Sequence, residues 1–517
     1  MLLPVLTPAQ SADWDRRAEA AGIALATLMD AAGRAVAQVL ATRFPDRVAG
    51  GILVATGPGN NGGDGWVLAR ALHRLDLPVF VAPVPGEASP LNQKMAALAR
   101  AEGVRVVDHD GPWPTVALAV DALLGTGSKG VLRSPILTFV ERLNELAVPL
   151  VAVDGPTGVD LATGTTHGAA VAARLSITFG GLRRGHLLAR DECGDVIVVD
   201  IGHPPPDPAW PTFVVEADLV TLQERFGARD HKGTRGRIVV VGGDAGMTGA
   251  LRLCCRAAFG AGAGLVHAVA PPATIDGLVT AEPDVQTLRH EFTIPLDPAL
   301  VRLLEGSDAA VIGPGLGRGE GRLEFVSQVM RHARSIVLDA DGLNAFAGAS
   351  ERLRELAAGK MVVLTPHPGE FRRLFPADAD GSECDPWSAA TGASEASGCT
   401  VLLKGVPTVI ASPLMPVFTV AAGNPGLATG GSGDVLSGLI GTLLVQLQHP
   451  GVAAALGAQA LGRAAELAAR RVTARAMRPM DVVVALPDLW RTWETRRLVR
   501  STARPPILLE LEAPQRW

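Results

Sequence analysis

Asn424-Pro425-Gly426-Leu427-Ala428-Thr429-Gly430-Gly431-Ser432-Gly433-Asp434-Val435-Leu436-Ser437-Gly438 is the stretch on which the reading of this chain turns. Thr-Gly-Gly-Ser-Gly at the mouth of a helix presents consecutive backbone N–H groups, an anion hole suited to a migrating phosphoryl group. Asp434, at the same mouth, stands where a carboxylate takes a proton from an attacking hydroxyl. Phosphoryl transfer needs little beyond position and charge stabilisation, and this segment supplies both. The P-loop pattern G-x-x-x-x-G-K-[ST] does not occur, so this is a different way of holding phosphate.

Outward from that segment, the second half alternates apolar runs with turns that stop on Gly, Asp or Thr. RIVVVGG leads into Asp244-Ala245-Gly246-Met247-Thr248-Gly249-Ala250, and AAVIGPG into Gly313-Pro314-Gly315-Leu316-Gly317. SIVLDADG carries Asp339-Ala340-Asp341-Gly342, MVVLTPH carries Thr365-Pro366-His367-Pro368-Gly369-Glu370, and TVLLKG carries Lys404-Gly405-Val406-Pro407-Thr408. Strand and helix alternate with short connections, which predicts an α/β domain on a parallel sheet. His367, fixed between two prolines at a strand end, is read as a substrate contact. No His/Cys set has zinc spacing.

The first half shows the same alternation. A helix is expected from a cap at Ser11 or Asp13 through Leu40, followed by strands GILVAT, LPVFVAP, VRVVD, VALAVDALL and PLVAVD. Gly57-Pro58-Gly59-Asn60-Asn61-Gly62-Gly63-Asp64-Gly65 lies between a strand and a helix, a favourable place for phosphate. Asp121 precedes Gly125-Thr126-Gly127-Ser128-Lys129-Gly130-Val131, and PLVAVD ends at Asp154-Gly155-Pro156-Thr157-Gly158. In an open parallel sheet the carboxyl ends of strands converge on one crevice. Asn61, Asp121 and Thr157 would then offer hard oxygen ligands to a group-I or group-II cation, and Asp154 and Lys129 acid–base chemistry.

At 517 residues the chain is too long for one ordinary core, and HPPPDPAWP, 203–211, reads as a linker because its prolines can continue neither helix nor inner strand. Two domains are expected, at 1–212 and 213–495, with a peripheral tail at 496–517. The net charge of −5 gives no bulk attraction to nucleic acid, and the Arg-rich run of Arg491, Arg496, Arg497, Arg500 and Arg504 reads as solvated tail. Cys193, Cys254, Cys255, Cys384 and Cys399 form no C-x-x-C pair, which favours a reducing compartment. With no signal peptide or long apolar span, the expectation is a cytoplasmic protein with neither a membrane nor a nucleic-acid partner.

GPGNNGGDG, DALLGTG, the D-x-P-[ST]-G turn at Asp154, TFGGLRRGHL and CGDVIVVDIG together resemble the NAD(P)HX epimerase family, the YjeF N-terminal domain. That resemblance implies that Asn60, Asn61, Gly62, Gly63 and Asp64, with Gly125, Thr126, Gly127, Ser128, Lys129, Gly130 and Val131, line the site for a hydrated nicotinamide cofactor. It further implies potassium on Asn61, Asp121 and Thr157, and proton handling by Asp154 with Lys129. Gly155 stands where the family pattern D-I-P-S-G has Ile, and Thr157 where it has Ser.

KGTRGRIVVVGG, GPGLG, DADGLN, TPHPGEF, LLKGVPT and NPGLATGGSGDVLSG resemble the ADP-dependent NAD(P)HX dehydratase family, a ribokinase-like α/β fold. AEPDVQ, 281–286, departs from that family's P-E-[VA]-M pattern. The resemblance carries over Ala250, Gly317, His367 and Asp434 as contacts to the hydrated cofactor. It carries over Lys404, Gly405, Val406, Pro407, Thr408 and Gly433 as nucleotide contacts. It implies ADP and Mg²⁺ as cosubstrate and cofactor, NADHX and NADPHX as substrates, and a homo-oligomer. The expected chemistry is phosphorylation of the C6 hydroxyl with Asp434 as base, then loss of phosphate. Two other readings stay open: a hydroxymethylpyrimidine- or thiazole-type kinase, and a binding scaffold whose first domain has lost catalysis.

Overall fold

The computed structural model of the chain describes residues 3–222, 226–379, 385–498 and 507–513. Cys384, Arg500 and Arg504 lie outside the described residues. Two compact units divide the chain between Phe213 and Val214, and the first also takes up the last described segment, 507–513. Both are α/β, as the alternation of elements predicts.

In the first unit the sheet runs Ile507–Leu511, Asp195–Val199, Leu175–Phe179, Leu150–Val153, Leu118–Ala122, Ile52–Thr56, Val79–Pro83, Arg105–Val106. All neighbours are parallel except the first pair. The strands are continuous apolar runs because both faces are covered. Ile52 and Val54 pack into one cluster with Trp66, Leu68 and Leu72 of helix Asn60–His73. Leu53 and Ala55 pack into the other, with Phe139, Val140 and Leu143 of helix Ile136–Glu145.

The order of strands fixes where ligands can bind. From Ile52–Thr56 the chain first builds outward through Val79–Pro83 and Arg105–Val106. It then returns to Leu118–Ala122 on the other side and builds away from there. The crevice between these two adjacent strands is the topological switch point, and both GPGNNGGDG and GTGSKG leave the sheet there. Gly57 lets the two strand ends close up, since a Cβ on it would meet Leu123 O at 1.9 Å.

The second unit repeats the plan. Its sheet runs Gln286–Arg289, Leu265–Ala270, Arg237–Val241, Ala309–Ile312, Ser335–Leu338, Met361–Leu364, Thr400–Leu403, Thr408–Ala411, Phe418–Val420. It is parallel as far as Thr400–Leu403, and two antiparallel hairpin strands complete it. The switch point falls between Arg237–Val241 and Ala309–Ile312, where DAGMTGA and GPGLG emerge. Gly313, at φ 125°, brings that turn against Asp339 O, which a Cβ would approach to 1.8 Å.

Several expectations need correction. The opening helix is two helices, Pro8–Ala20 and Leu25–Arg43, preceded by a strand, Leu3–Leu6. The cap is Thr7, whose hydroxyl accepts from Gln10 N at 3.2 Å while Gln10 Oε1 accepts from Thr7 N at 2.8 Å. Pro8 at the first helical position favours that start, and Ser11 and Asp13 lie inside the helix. The proline-rich stretch 203–211, read as a linker, lies just before the boundary between the units, and Trp14 donates to Pro204 O at 2.9 Å and stacks on His203 with ring centroids 4.3 Å apart. The described residues of the expected tail do not lie apart from the fold. Helix Pro479–Leu498 carries Arg491 and buries Trp493, and Ile507–Leu511 forms the edge strand named above. Among the described residues no single helix is long and apolar enough to cross a membrane.

Leu53, fully buried at the centre of the first sheet, is a direct test of this packing. Leu53→Ala is expected to cost about 2–5 kcal/mol of stability, read from denaturant unfolding of the first unit's transition.

Candidate functional site

Each switch point gathers a buried carboxylate and the groups that hold it. In the first unit Asp121 ends strand Leu118–Ala122 and is wholly buried. Its Oδ1 accepts from Leu123 N at 3.0 Å and from Thr157 Oγ1 at 2.8 Å, and its Oδ2 accepts from Thr157 N at 2.7 Å. Burial raises the carboxyl to about 6, against the pull of those three donors. Thr157 Oγ1 in turn accepts from Leu124 N at 3.1 Å. Asn61, oriented with its amide nitrogen toward Val153 O at 3.2 Å, accepts from Gly125 N at 3.2 Å. The three oxygens expected to hold a cation therefore lie at the carboxyl ends of three adjacent strands, Ile52–Thr56, Leu118–Ala122 and Leu150–Val153.

Asp154 follows strand Leu150–Val153 with a left-handed backbone, φ 65°. For a residue with a Cβ that conformation costs on the order of 1 kcal/mol and persists only where its surroundings enforce it. The surroundings do so here. Asp154 N donates to Ile177 O at 2.7 Å, and the carboxylate accepts from Thr126 N at 3.2 Å and Thr178 Oγ1 at 3.0 Å. Arg183 Nη2 lies 3.3 Å from Asp154 Oδ1, and both residues are buried. Asp64, the fifth residue of helix Asn60–His73, is held well above the usual carboxylate range, chiefly by burial and then by the charge of Asp154.

The structure does not bring Lys129 to Asp154. Lys129 is exposed on its loop, as are Gly130 and Val131, and no hydrogen bond or ion pair joins it to Asp154 among the described residues. Ser128, one position earlier, is buried and accepts from Gly158 N at 2.8 Å. Asn60 is exposed and accepts from Ser89 Oγ at 2.9 Å, while Asn92 Nδ2 clamps the turn by donating to Gly57 O at 2.9 Å and Gly59 O at 2.7 Å. Arg183, Thr178 and Asn92 are site residues that sequence reasoning missed. Thr178 and Arg183 both stood inside a motif, TFGGLRRGHL, that could have pointed to them, whereas Asn92 did not.

In the second unit the centre is Asp339, at the end of strand Ser335–Leu338 and 1% exposed. Lys404 Nζ donates to its Oδ1 at 2.9 Å, Thr365 Oγ1 to the same oxygen at 2.8 Å, and Ser437 Oγ to Oδ2 at 2.6 Å. Burial pushes the Asp339 carboxyl up, but Lys404 and the two hydroxyls overcome it and hold the group below its ordinary value. Lys404 also lies 3.9 Å from Glu370 Oε2, and Glu370 is buried. Gly433 packs its α-carbon on this pair, since a Cβ there would sit 3.3 Å from Lys404 Nζ and 3.4 Å from Asp339 Oδ2.

Helix Ser432–Leu447 starts at Gly431, φ 102°, with Asp434 in its first turn. Burial raises Asp434 to about 7, and the negative charge of Asp339 adds to the shift while Lys404 opposes it. Asp341 and Glu370 push the same way as Asp339. A carboxyl poised near neutrality beside backbone N–H groups is what proton abstraction from a hydroxyl requires.

The remaining expected contacts fall into two groups. Gly317 N donates to Asp341 Oδ2 at 3.0 Å, and a Cβ on Gly315 would sit 3.2 Å from Ala250 Cβ, so Ala250, Gly317 and Asp341 share one wall. Gly405, Val406, Pro407 and Thr408 turn the hairpin that follows Lys404, with Val406 74% exposed and Thr408 Oγ1 donating to Gly405 O at 3.1 Å. His367 caps helix Pro368–Leu374, its Nδ1 accepting from Gly369 N at 3.0 Å and Glu370 Oε2 accepting from His367 N at 2.9 Å. About half of the His367 side chain remains exposed. Asp339, Thr365, Glu370 and Ser437 were not assigned from sequence. Ser437 lies four positions after Gly433, hence on the same helix face, a signal that could have found it.

Because the folded state binds the Asp434 proton more tightly than the unfolded chain does, this residue favours folding at low pH. That contribution disappears as pH rises from about 4 to about 7. Asp434→Asn is therefore expected to melt higher than the unaltered chain at pH 8 and at nearly the same temperature at pH 4, by thermal unfolding at both.

Two family models match the chain. One, described as NAD(P)H-hydrate dehydratase, covers residues 238–488, and the other, described as YjeF-related protein N-terminus, covers residues 25–185. The bifunctional NAD(P)H-hydrate repair enzyme Nnr of Escherichia coli K12 is 37% identical over 488 residues, 91% of this chain and 90% of that one. That of Moorella thermoacetica is 36% identical over 501 residues, 90% of this chain and 92% of that one. Among solved structures, an ADP/ATP-dependent NAD(P)H-hydrate dehydratase from Bacillus subtilis, co-crystallised with ATP and Mg²⁺, is 27% identical with a TM-score of 0.47. It covers 55% of this chain and 98% of that one.

Proposed function

Since this chain belongs to the family of bifunctional NAD(P)H-hydrate repair enzymes, we infer that its first unit epimerises the hydrated cofactors NADHX and NADPHX and its second dehydrates the S form at the expense of ADP. The observation that carries the second activity is Asp434, raised to about 7 in the first turn of a glycine-led helix, beside Lys404 and Gly433.

The chemistry follows from the positions. The S hydrate carries a hydroxyl on C6, and Asp434 takes its proton as the oxygen attacks the terminal phosphorus of ADP. The bond from that phosphorus to the bridging oxygen breaks, and AMP leaves with the electron pair. Backbone N–H groups around Ser432 and Gly433 stabilise the oxygens of the transferring group, and Lys404, fixed by Asp339, supplies positive charge. Phosphate then leaves C6, driven by the lone pair of the ring nitrogen, and loss of the C5 proton restores the dihydronicotinamide double bond. Gly405 to Thr408 hold the nucleotide, while Ala250, Gly317 and His367 meet the hydrated ring. Mg²⁺ would neutralise the phosphates. Such an ion is carried largely by the nucleotide, and no group of three or more His, Cys, Asp or Glu that could hold a metal exists among the described residues.

In the first unit inversion at C6 calls for a base that takes the hydroxyl proton as the C6–N1 bond opens to an aldehyde, the electron pair going to the ring nitrogen, and that returns the proton once this nitrogen has re-added to the opposite face. Asp154 has the position for this, with the Arg183 guanidinium 3.3 Å from its Oδ1. Lys129, exposed on the facing loop, completes this reading as the second proton-handling group, reaching the cofactor once it is bound. Potassium fits at Asn61, Asp121 and Thr157, because Asp121 is buried against amides and a hydroxyl, and each oxygen keeps a lone pair to offer. Such a cation would offset the buried negative charge. The described cysteines, Cys193, Cys254, Cys255 and Cys399, are free and buried, in keeping with a reducing cytoplasm. A homo-oligomer belongs to the same reading and is tested by light scattering.

The decisive assay supplies both epimers with ADP or with ATP and follows the near-ultraviolet band of reduced nicotinamide. Both epimers are expected to be consumed, with turnover rising with pH and levelling off above about 7. Asp434→Asn should lower the rate about 10²–10⁴-fold, and near-normal turnover would remove its role as base. Accumulation of a stable phosphorylated product would instead favour a kinase of the same fold. Asp154→Ala should stop interconversion of the epimers while ADP-driven consumption of the S form continues, and an unchanged interconversion rate would refute the assignment of Asp154.

A further inference from the structure

Gly155 follows Asp154, and what forbids a side chain there is space. A Cβ would come within 2.7 Å of Leu161 Cδ1 and 3.2 Å of His186 Nε2. Part of the room a side chain at 155 would need is thus taken by an imidazole, since His186, in the short helix Arg184–Leu188, is fully buried directly beneath the Asp154 turn. This position is the one where the D-I-P-S-G pattern carries Ile, and a branched side chain at 155 would press on both Leu161 and the His186 imidazole.

Both ring nitrogens of His186 are engaged. Nδ1 accepts the Arg183 N–H at 2.9 Å, so the neutral ring carries its hydrogen on Nε2 and donates it to the Asp154 carbonyl oxygen at 2.6 Å. Burial pushes the imidazole down to about 4, so this tautomer persists through the neutral range. The same segment contributes the Arg183 guanidinium, 3.3 Å from Asp154 Oδ1. Residues 183–186 therefore grip Asp154 twice, once at its carboxylate and once at its backbone carbonyl.

We propose that His186 is a positioning residue for epimerisation, locking the left-handed backbone of Asp154 so that its carboxylate stays aimed, and that Gly155 is the residue that admits it. The proposal rests on the reading that Asp154 handles the proton at C6. His186 stands inside the motif TFGGLRRGHL, but nothing local gives it a role, because its partner is a backbone carbonyl 32 positions away.

The test uses the full chain and two readouts: epimer interconversion without nucleotide, and ADP-driven consumption of the S form as an internal control. His186→Leu keeps bulk and removes the donor. It is expected to lower kcat for interconversion about tenfold, with KM within about twofold and the ADP-driven activity unchanged. His186→Gln places an amide N–H near the position of Nε2 and should restore most of kcat. Wild-type kcat in His186→Leu, with Asp154→Ala inactive, overturns the proposal and leaves the role of Asp154 standing. Wild-type interconversion in Asp154→Ala removes both. Equal losses in the Leu and Gln variants mean that shape rather than the N–H matters, and also overturn it. Should His186→Leu fail to fold, nitrogen-15 shifts of the unaltered protein decide the matter: Nε2 protonated at pH 7 supports the proposal, and the opposite tautomer defeats it.

Discussion

Asp339 is the charge around which the second unit is put together. A carboxylate 1% exposed cannot stay ionised without partners, and its three donors come from positions 26, 65 and 98 residues away. A strand end, a hairpin and a helix must all dock before that carboxylate is satisfied. The ion pair with Lys404 adds little net stability, because desolvation offsets most of the attraction. Its value lies in geometry and in field. It sets the glycine-led helix start against the sheet, and its residual negative charge helps push Asp434 toward neutrality.

The first unit meets the same difficulty differently. Asp121 is as deeply buried, yet its described donors are two amides and one hydroxyl, with no side-chain cation among them. It is accordingly raised rather than lowered. Asp154, one strand over, does have a cationic partner in Arg183. In both sheets the strands are apolar on both faces, so polar chemistry surfaces only at the carboxyl ends of strands on either side of the switch point.

This arrangement explains what the sequence could and could not say. Gly433, Asp434, Lys404, Asp121 and Asp154 stand at strand or helix ends inside turns whose glycines announce them, so residue type and spacing were enough to single them out. Asp339, Glu370 and Ser437 depend on partners far along the chain, and no local spacing encodes a contact 98 residues long. For Lys129 the loop was legible but the direction of the side chain was not, because an exposed stem takes its direction from nothing local. The opening helix was misread because Pro8 and Thr7 set its start, whereas the eye is drawn to the more common capping types at Ser11 and Asp13.

The strand Ile507–Leu511 makes the first unit discontinuous, with the whole second unit threaded through it as an insertion. On the ribosome, the partner of Asp195–Val199 leaves the exit tunnel about 300 residues after it. At about 5–20 residues per second, that sheet margin stays bare for on the order of tens of seconds. During that interval it offers unpaired amides and carbonyls to any neighbouring nascent chain. Biogenesis of this enzyme is thus inverted with respect to its gene: the half encoded second can finish folding first, and the half encoded first waits for it.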